Sequence, residues 1–170
     1  MELRRKIRLR NYGPDTPFAM LEMKQKQGAN QKKRSLRMDR EDAQRLIRGE
    51  YSVLLRYEES FAAECFALML GRCYRPKTVV TYRRKAFVAK ENKIRVTFDH
   101  HLVGTESRFD IFSESLLENS LLDPYLVVLE VKYNGFLLSY IKDMLSECDT
   151  GETSVSKYCL GRAVSKHYQF

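Results

Sequence analysis

The sequence predicts an α+β fold in which about six antiparallel strands form a twisted sheet able to curl toward a barrel, with flanking helices. Three observations carry that expectation. Period-two alternation recurs over residues 3–12, 18–27, 31–38, 78–89, 93–99 and 125–135. These segments repeatedly gather lysine and arginine on one face. Apolar residues recur instead at helical spacing over 58–73 and 136–148.

A chain of 170 residues is long enough for one domain with a real core. With 44% hydrophobic and 31% charged residues it reads as globular rather than disordered. Its formal charge of +8 favours an anionic partner: nucleic acid, phosphate or an acidic membrane surface. No apolar run approaches the ~20 residues that span a bilayer, and no signal peptide opens the sequence. Cys65, Cys73, Cys148 and Cys159 form no CxxC pair and have no histidine at zinc-ligand spacing. A cytoplasmic protein with reduced thiols is therefore expected, with Cys65 and Cys148 packed as small apolar residues in helices.

Taken in order, residues 3–12 place Arg4, Lys6, Arg8 and Arg10 opposite Leu3, Ile7 and Leu9, and Gly13-Pro14-Asp15 turns the chain. Residues 18–27 set Ala19, Leu21 and Met23 against Glu22, Lys24 and Lys26. Gly28-Ala29-Asn30 reads as a hairpin connection. In 31–38, Lys33, Ser35 and Arg37 oppose a mixed face of Lys32, Arg34, Leu36 and Met38. Asp39, with Asp42 three residues on, reads as the N-cap of a helix that Gly49 stops. The helix over 58–73 buries Phe61, Cys65, Leu68 and Met69, and Pro76 closes it.

Residues 78–89 oppose Val80, Tyr82, Arg84 and Ala86 to Val79, Thr81, Arg83, Lys85 and Phe87. Glu91-Asn92 turns into 93–99, where Lys93, Arg95, Thr97 and Asp99 face away from Ile94, Val96 and Phe98. The stretch 100–124 reads as irregular, with a short strand near 108–112. YLVVLEVKYNG, residues 125–135, sets Val127, Leu129, Val131 and Tyr133 against Val128, Glu130 and Lys132. The helix over 136–148 turns Phe136, Leu137, Tyr140, Ile141, Met144 and Leu145 to the core. A loop over 149–152 and a closing helix over 155–166 complete the chain.

The polar faces collect Lys6, Arg8, Arg10, Glu22, Lys24, Lys26, Lys33, Arg37, Arg84, Arg95, Asp99, Glu130 and Lys132. A solvated sheet face explains any single strand of this kind. Several strands sharing one cation-rich face point instead to closure around a polyanion, because converging like charges are costly to desolvate alone. Linked phosphates meet that need: arginine offers bidentate forks and lysine point charges. Glu130, with Glu22 or Asp99, has the chemistry to hold a divalent metal bridging phosphates. For Glu22 and Asp99 an internal salt bridge is an equal alternative. RNA fits less well, since Tyr82 and Tyr12 are the few aromatics available for stacking.

RLRNYG (8–13), LEMK (21–24), KKR (32–34), TYRRKAF (81–87), RVTFD (95–99), LEVKYNG (129–135) and SKYCLG (156–161) stand in the order found in the VTC domain. Each motif is weak alone; together they span nearly the whole chain. The sequence resembles a bacterial member of this family, the polyphosphate polymerase domain of the CYTH-like triphosphate tunnel metalloenzymes. The resemblance implies a basic tunnel that transfers the ATP γ-phosphate to a growing polyphosphate chain, with Mn2+ or Mg2+ as cofactor. Carried over by position, it implies Arg8, Arg10, Lys24, Arg84 and Arg95 as catalytic residues gripping phosphates. Lys6, Lys26, Lys33, Lys132 and Lys157 are implied as further phosphate ligands, and Glu130 as the metal ligand. Polyanion binding without turnover and triphosphate hydrolysis are the alternatives.

Members of the family usually begin upstream, with an ExK-type strand and then a strand ending near YFD. This sequence opens on the RLR strand, so the resemblance implies one N-terminally truncated tunnel domain, an antiparallel β-tunnel left as an incomplete barrel of about six strands with flanking helices. A second copy or a partner chain would cover its open sheet edges. Ser154 stands where relatives often carry a base, and His100-His101 where a more basic turn is common; both histidines read as loop residues.

Overall fold

The computed structural model describes residues 3–28, 30–148 and 154–164. It is α+β, with antiparallel strands in two sheets and no closed barrel among the described residues, as an incomplete tunnel requires. The chain divides into two compact units: Met1–Lys77 with Arg108–Leu116, and Thr78–Ser107 with Leu117–Phe170.

In the first unit, β1 (Leu3–Arg10), β2 (Phe18–Gln27) and β3 (Asn30–Asp39) form a meander in that order. Behind it lie α1 (Arg40–Ile47), a 3-10 turn over Tyr51–Arg56 and α2 (Ser60–Gly71). The alternation of β2 buries Ala19, Leu21 and Met23, which meet Leu36 and Met38 of β3, Leu46 of α1 and Phe61, Cys65 and Met69 of α2. Ile7 and Leu9 close the same core from β1. The Leu36 and Met38 end of the mixed face of β3 thus belongs to the core, while Lys32 is exposed. Arg34, between them, is accommodated by a bidentate bond to Glu64 at 2.5 and 2.6 Å and lies 5.1 Å from the Phe61 ring.

Two expectations in this unit need correction. Asp39 takes the extended backbone of an N-cap, but its side chain makes no capping bond. Asp42 is buried and accepts from Arg56 at 2.6 Å and the Tyr57 hydroxyl at 3.0 Å, so it serves tertiary packing rather than the helix start. The stretch 108–112 forms no strand; it returns to this unit to bury Phe112 in the core. Ala29, in the first hairpin connection, lies outside the described residues.

The second unit is built on β5 (Arg95–Thr105). On one side it pairs with β4 (Val79–Val88); on the other it pairs with the short β6 (Asn119–Ser120) and with β7 (Val128–Lys132). β5 runs well past Asp99, so His100 and His101 are strand residues, not loop residues. The reason is a bulge. Between Thr81 and Arg83 the register slips, and His101 takes a left-handed φ of 52°. Beyond that point the buried positions move from Thr97 and Asp99 to Leu102 and Gly104, which breaks the period-two signal.

β7 is shorter than the alternation in 125–135 suggests. The Asp123 side chain caps Tyr125 N–H at 2.9 Å and its carbonyl takes Leu126 N–H at 2.9 Å, so that end is a turn. The following helix, α3, spans Ser139–Ser146, and Ile141 is its one buried residue. Phe136, Tyr140 and Met144 are exposed, contrary to the apolar face expected of them, and so is Cys148. α4 spans Lys157–Ala163, with Ser156 as N-cap accepting from the Cys159 N–H at 3.3 Å. The whole loop over 149–152 and the end of the expected closing helix lie outside the described residues. No described helix is long and apolar enough to cross a membrane.

Candidate functional site

Residues paired across antiparallel strands share a face, so the register of the first sheet reads as rows. They are Arg4, Lys26 and Gln31; Lys6, Lys24 and Lys33; Arg8, Glu22 and Ser35; and Arg10, Met20 and Arg37. Cations dominate every row but one, and Glu22 is the single carboxylate. It is 3% exposed. Arg8 holds it through Nε and Nη2, both 2.6 Å from Oε2, while Arg10 Nη2 at 3.2 Å and Lys33 Nζ at 2.9 Å hold Oε1. Burial pushes the Glu22 carboxyl up, but hydrogen bonds from Lys33 and Arg8 and the charges of Arg8 and Arg10 outweigh it, leaving the group below its ordinary value.

The Nε of Arg10 is buried and has no acceptor among the described residues. Its guanidinium lies 5.0 Å from the Tyr12 ring, and that of Arg37 lies 4.0 Å from the Phe18 ring. Lys24 and Lys26 stand exposed.

The second unit carries a face of the same kind. Its rows are Arg84, Asp99 and Val128; Ala86, Thr97 and Glu130; and Val88, Arg95 and Lys132. Asp99 is fully buried. Arg84 grips it with Nε at 2.5 Å and Nη2 at 2.7 Å, and Lys157 Nζ lies 2.7 Å from Oδ2. The Tyr82 ring lies 5.3 Å from the Arg84 guanidinium and 5.1 Å from Lys157 Nζ. Burial raises the Asp99 carboxyl, and the bonds from Arg84 and Lys157 bring it below the ordinary aspartate value. Asp99 in turn pushes the Arg84 guanidinium further up.

Glu130 is more open, with 39% of its side chain exposed. Lys132 Nζ lies 2.8 Å away and Arg84 Nη2 4.0 Å. The Lys132 hydrogen bond, aided by the charges of Lys132, Arg84 and Lys157, lowers its pKa against a smaller effect of burial. Lys157 reaches this face because α4 lies close on β4. A Cβ on Gly161 would stand 2.6 Å from Thr78 Oγ1 and 2.9 Å from Val80 Cγ2.

Every site residue read from the sequence therefore falls on one of two faces. Lys6, Arg8, Arg10, Lys24, Lys26 and Lys33 lie on the first, and Arg84, Arg95, Glu130, Lys132 and Lys157 on the second. For Glu22 and Asp99, left open between metal and salt bridge, the geometry is that of internal salt bridges. Arg4 and Arg37 lie on the first face, and the buried Thr97 with the Tyr82 ring on the second, where alternation had placed them. The contact of Tyr82 with Lys157 depends on a helix far along the chain, which no local signal announces.

A family model, the VTC domain, matches residues 1–166. The chain belongs to the VTC domain family. No curated protein and no solved structure matches it. VTC domains belong to a metal-dependent, CYTH-like group, and the acids here can be tested against that requirement. Glu22 and Asp99 have both oxygens engaged by cations. Among the described residues no three histidines, cysteines or acids gather into a cage. Glu130 is half-buried, with Oε1 held by Lys132 at 2.8 Å and Oε2 4.0 Å from Arg84. That is the loosest hold on any of the three acids, so Glu130 is the one that would take a magnesium-like ion.

Proposed function

We propose that this VTC domain binds a nucleoside triphosphate and a polyphosphate chain and transfers the γ-phosphoryl group to the chain end. The observation that carries the reading is the row-by-row concentration of cations on the first sheet, where the one carboxylate is covered and Arg10 keeps a buried donor without an acceptor. Arg8, Arg10, Lys24 and Lys33 supply donors for phosphoryl oxygens on that face, with Lys6 and Lys26 extending it. Arg84, Arg95, Lys132 and Lys157 do the same on the second face. No protein nucleophile is required. These residues orient the phosphates and offset the charge that accumulates as the phosphoryl group moves. Glu130 would hold a Mn2+ or Mg2+ ion, which would supply further neutralisation of the phosphate charge.

Purified protein incubated with ATP and Mn2+ tests this directly. Long phosphate chains, resolved by gel, are the expected product. Free phosphate without chains indicates a triphosphate hydrolase. Neither product, with tripolyphosphate still bound, indicates a binding module, the reading favoured by the thin set of metal ligands among the described residues.

A further inference from the structure

We propose that Glu22 and Asp99 are positioning residues, each holding the cationic heads above it as a preformed seat for phosphoryl oxygens. This rests on the phosphate reading and assigns a task to two acids that meet no phosphate themselves. The layering is the evidence. Glu22 is 3% exposed beneath Arg8 and Lys33, whose side chains are 59% and 53% exposed. Asp99 is 0% exposed beneath Arg84 and Lys157 at 28% and 23%. In both places the anion lies below and the cations reach past it.

Crowded arginines and lysines repel one another and sample many rotamers, which an anionic ligand would otherwise have to order at its own expense. A buried carboxylate offsets the repulsion and selects one arrangement. It also leaves donors over. A guanidinium has five N–H groups and an ammonium three. Asp99 occupies Nε and one Nη2 hydrogen of Arg84 and one hydrogen of Lys157, so both heads still have hydrogens to give. Around Glu22, three cations share two oxygens, and the cluster remains positive.

The test is calorimetric binding of inorganic tripolyphosphate to the full chain and to Asp99→Asn and Glu22→Gln. Each substitution removes a negative charge, so charge counting alone has the polyanion bind more tightly. Positioning requires the reverse: about tenfold weaker binding for each variant, as expected when a charge-assisted contact is lost. In an Arg84→Met background, Asp99→Asn should then cost far less, because it acts through Arg84.

Folded variants that bind as tightly as the parent, or more tightly, overturn the inference and leave the phosphate reading intact. A parent chain that binds no tripolyphosphate overturns both. If the amides fail to fold, Asp99→Glu and Glu22→Asp keep the charge while displacing it by one methylene. Weakened binding in a folded chain is expected there, and full affinity overturns the proposal. Unfolding of all four variants makes these carboxylates structural and overturns it as well.

Discussion

Arg84 stands between two acids with different duties: the buried Asp99, which it grips in bidentate fashion, and the half-buried Glu130, 4.0 Å away. Arg84→Ala should lower polyphosphate synthesis by about 100-fold or more, the usual loss when one preorganised donor is removed. The fold should survive, because Lys157 remains on Asp99. Glu130→Gln should abolish the metal-dependent rate with a nearly unchanged melting curve, since its ion pair with Lys132 is partly solvent-exposed. Full activity in either variant counts against the assignment. The buried acids also set an acid limit. Glu22 and Asp99 have folded pKa values below their ordinary 4.5 and 3.8. Their contribution to stability is complete above those ordinary values and is lost as the pH falls through the lower, folded ones. Denaturant titrations across that acid range should show stability falling, and Glu22→Gln should flatten the fall.

Among elements, β2 and α4 do the most to place the two faces. β2 buries Leu21 completely on one side and carries Glu22 and Lys24 on the other, so packing fixes the height at which the cations stand. Leu21→Ala should cost about 2–5 kcal/mol in denaturant unfolding. α4 brings Lys157 to Asp99, and it comes close to β4 because residue 161 has no side chain. Gly161→Ala should push that helix away, costing about 1–3 kcal/mol and weakening tripolyphosphate binding through the displaced lysine. An unchanged affinity would separate the helix contact from the site. At this scale the sequence was informative where alternation was unbroken: β2 has the bounds expected of it. It misled at β5, where a bulge at His101 shifts the face by one residue, and at α3, where helical spacing of apolar residues did not entail their burial.

Across the whole molecule the two units differ in how much apolar surface they hide. The first buries a continuous core from Ala19 to Phe112, whereas among the described residues of the second the buried hydrophobics are Val79, Ile94, Leu102 and Ile141. Phe87, Val88, Leu126, Val127 and Phe136 of that unit are exposed. Hydrogen exchange should therefore find the amides of β2 and β3 protected longest and those of β7 and α3 opening first. Equal protection in both units would contradict this. The charge of +8 is also a property of the whole chain. Tripolyphosphate affinity should fall steeply between about 50 and about 200 mM salt, by the counterion logic that governs nucleic-acid phosphates. A flat salt response would remove the cationic faces from the account.

The sequence by itself determined the first four strands and β7 as strands, the cation-rich side of each, the helix start that carries Lys157, and, through motifs spread along the chain, the family. The strand readings are local: period two places side chains on alternate faces whatever the rest of the chain does. Only the tertiary structure decided which strands lie side by side, that Glu22 and Asp99 are covered while Glu130 is more open, and that Lys157 reaches the Tyr82 ring beside Arg84. Register, burial and the approach of α4 are set by partners tens of residues away, and a periodicity read along one strand contains no information about them.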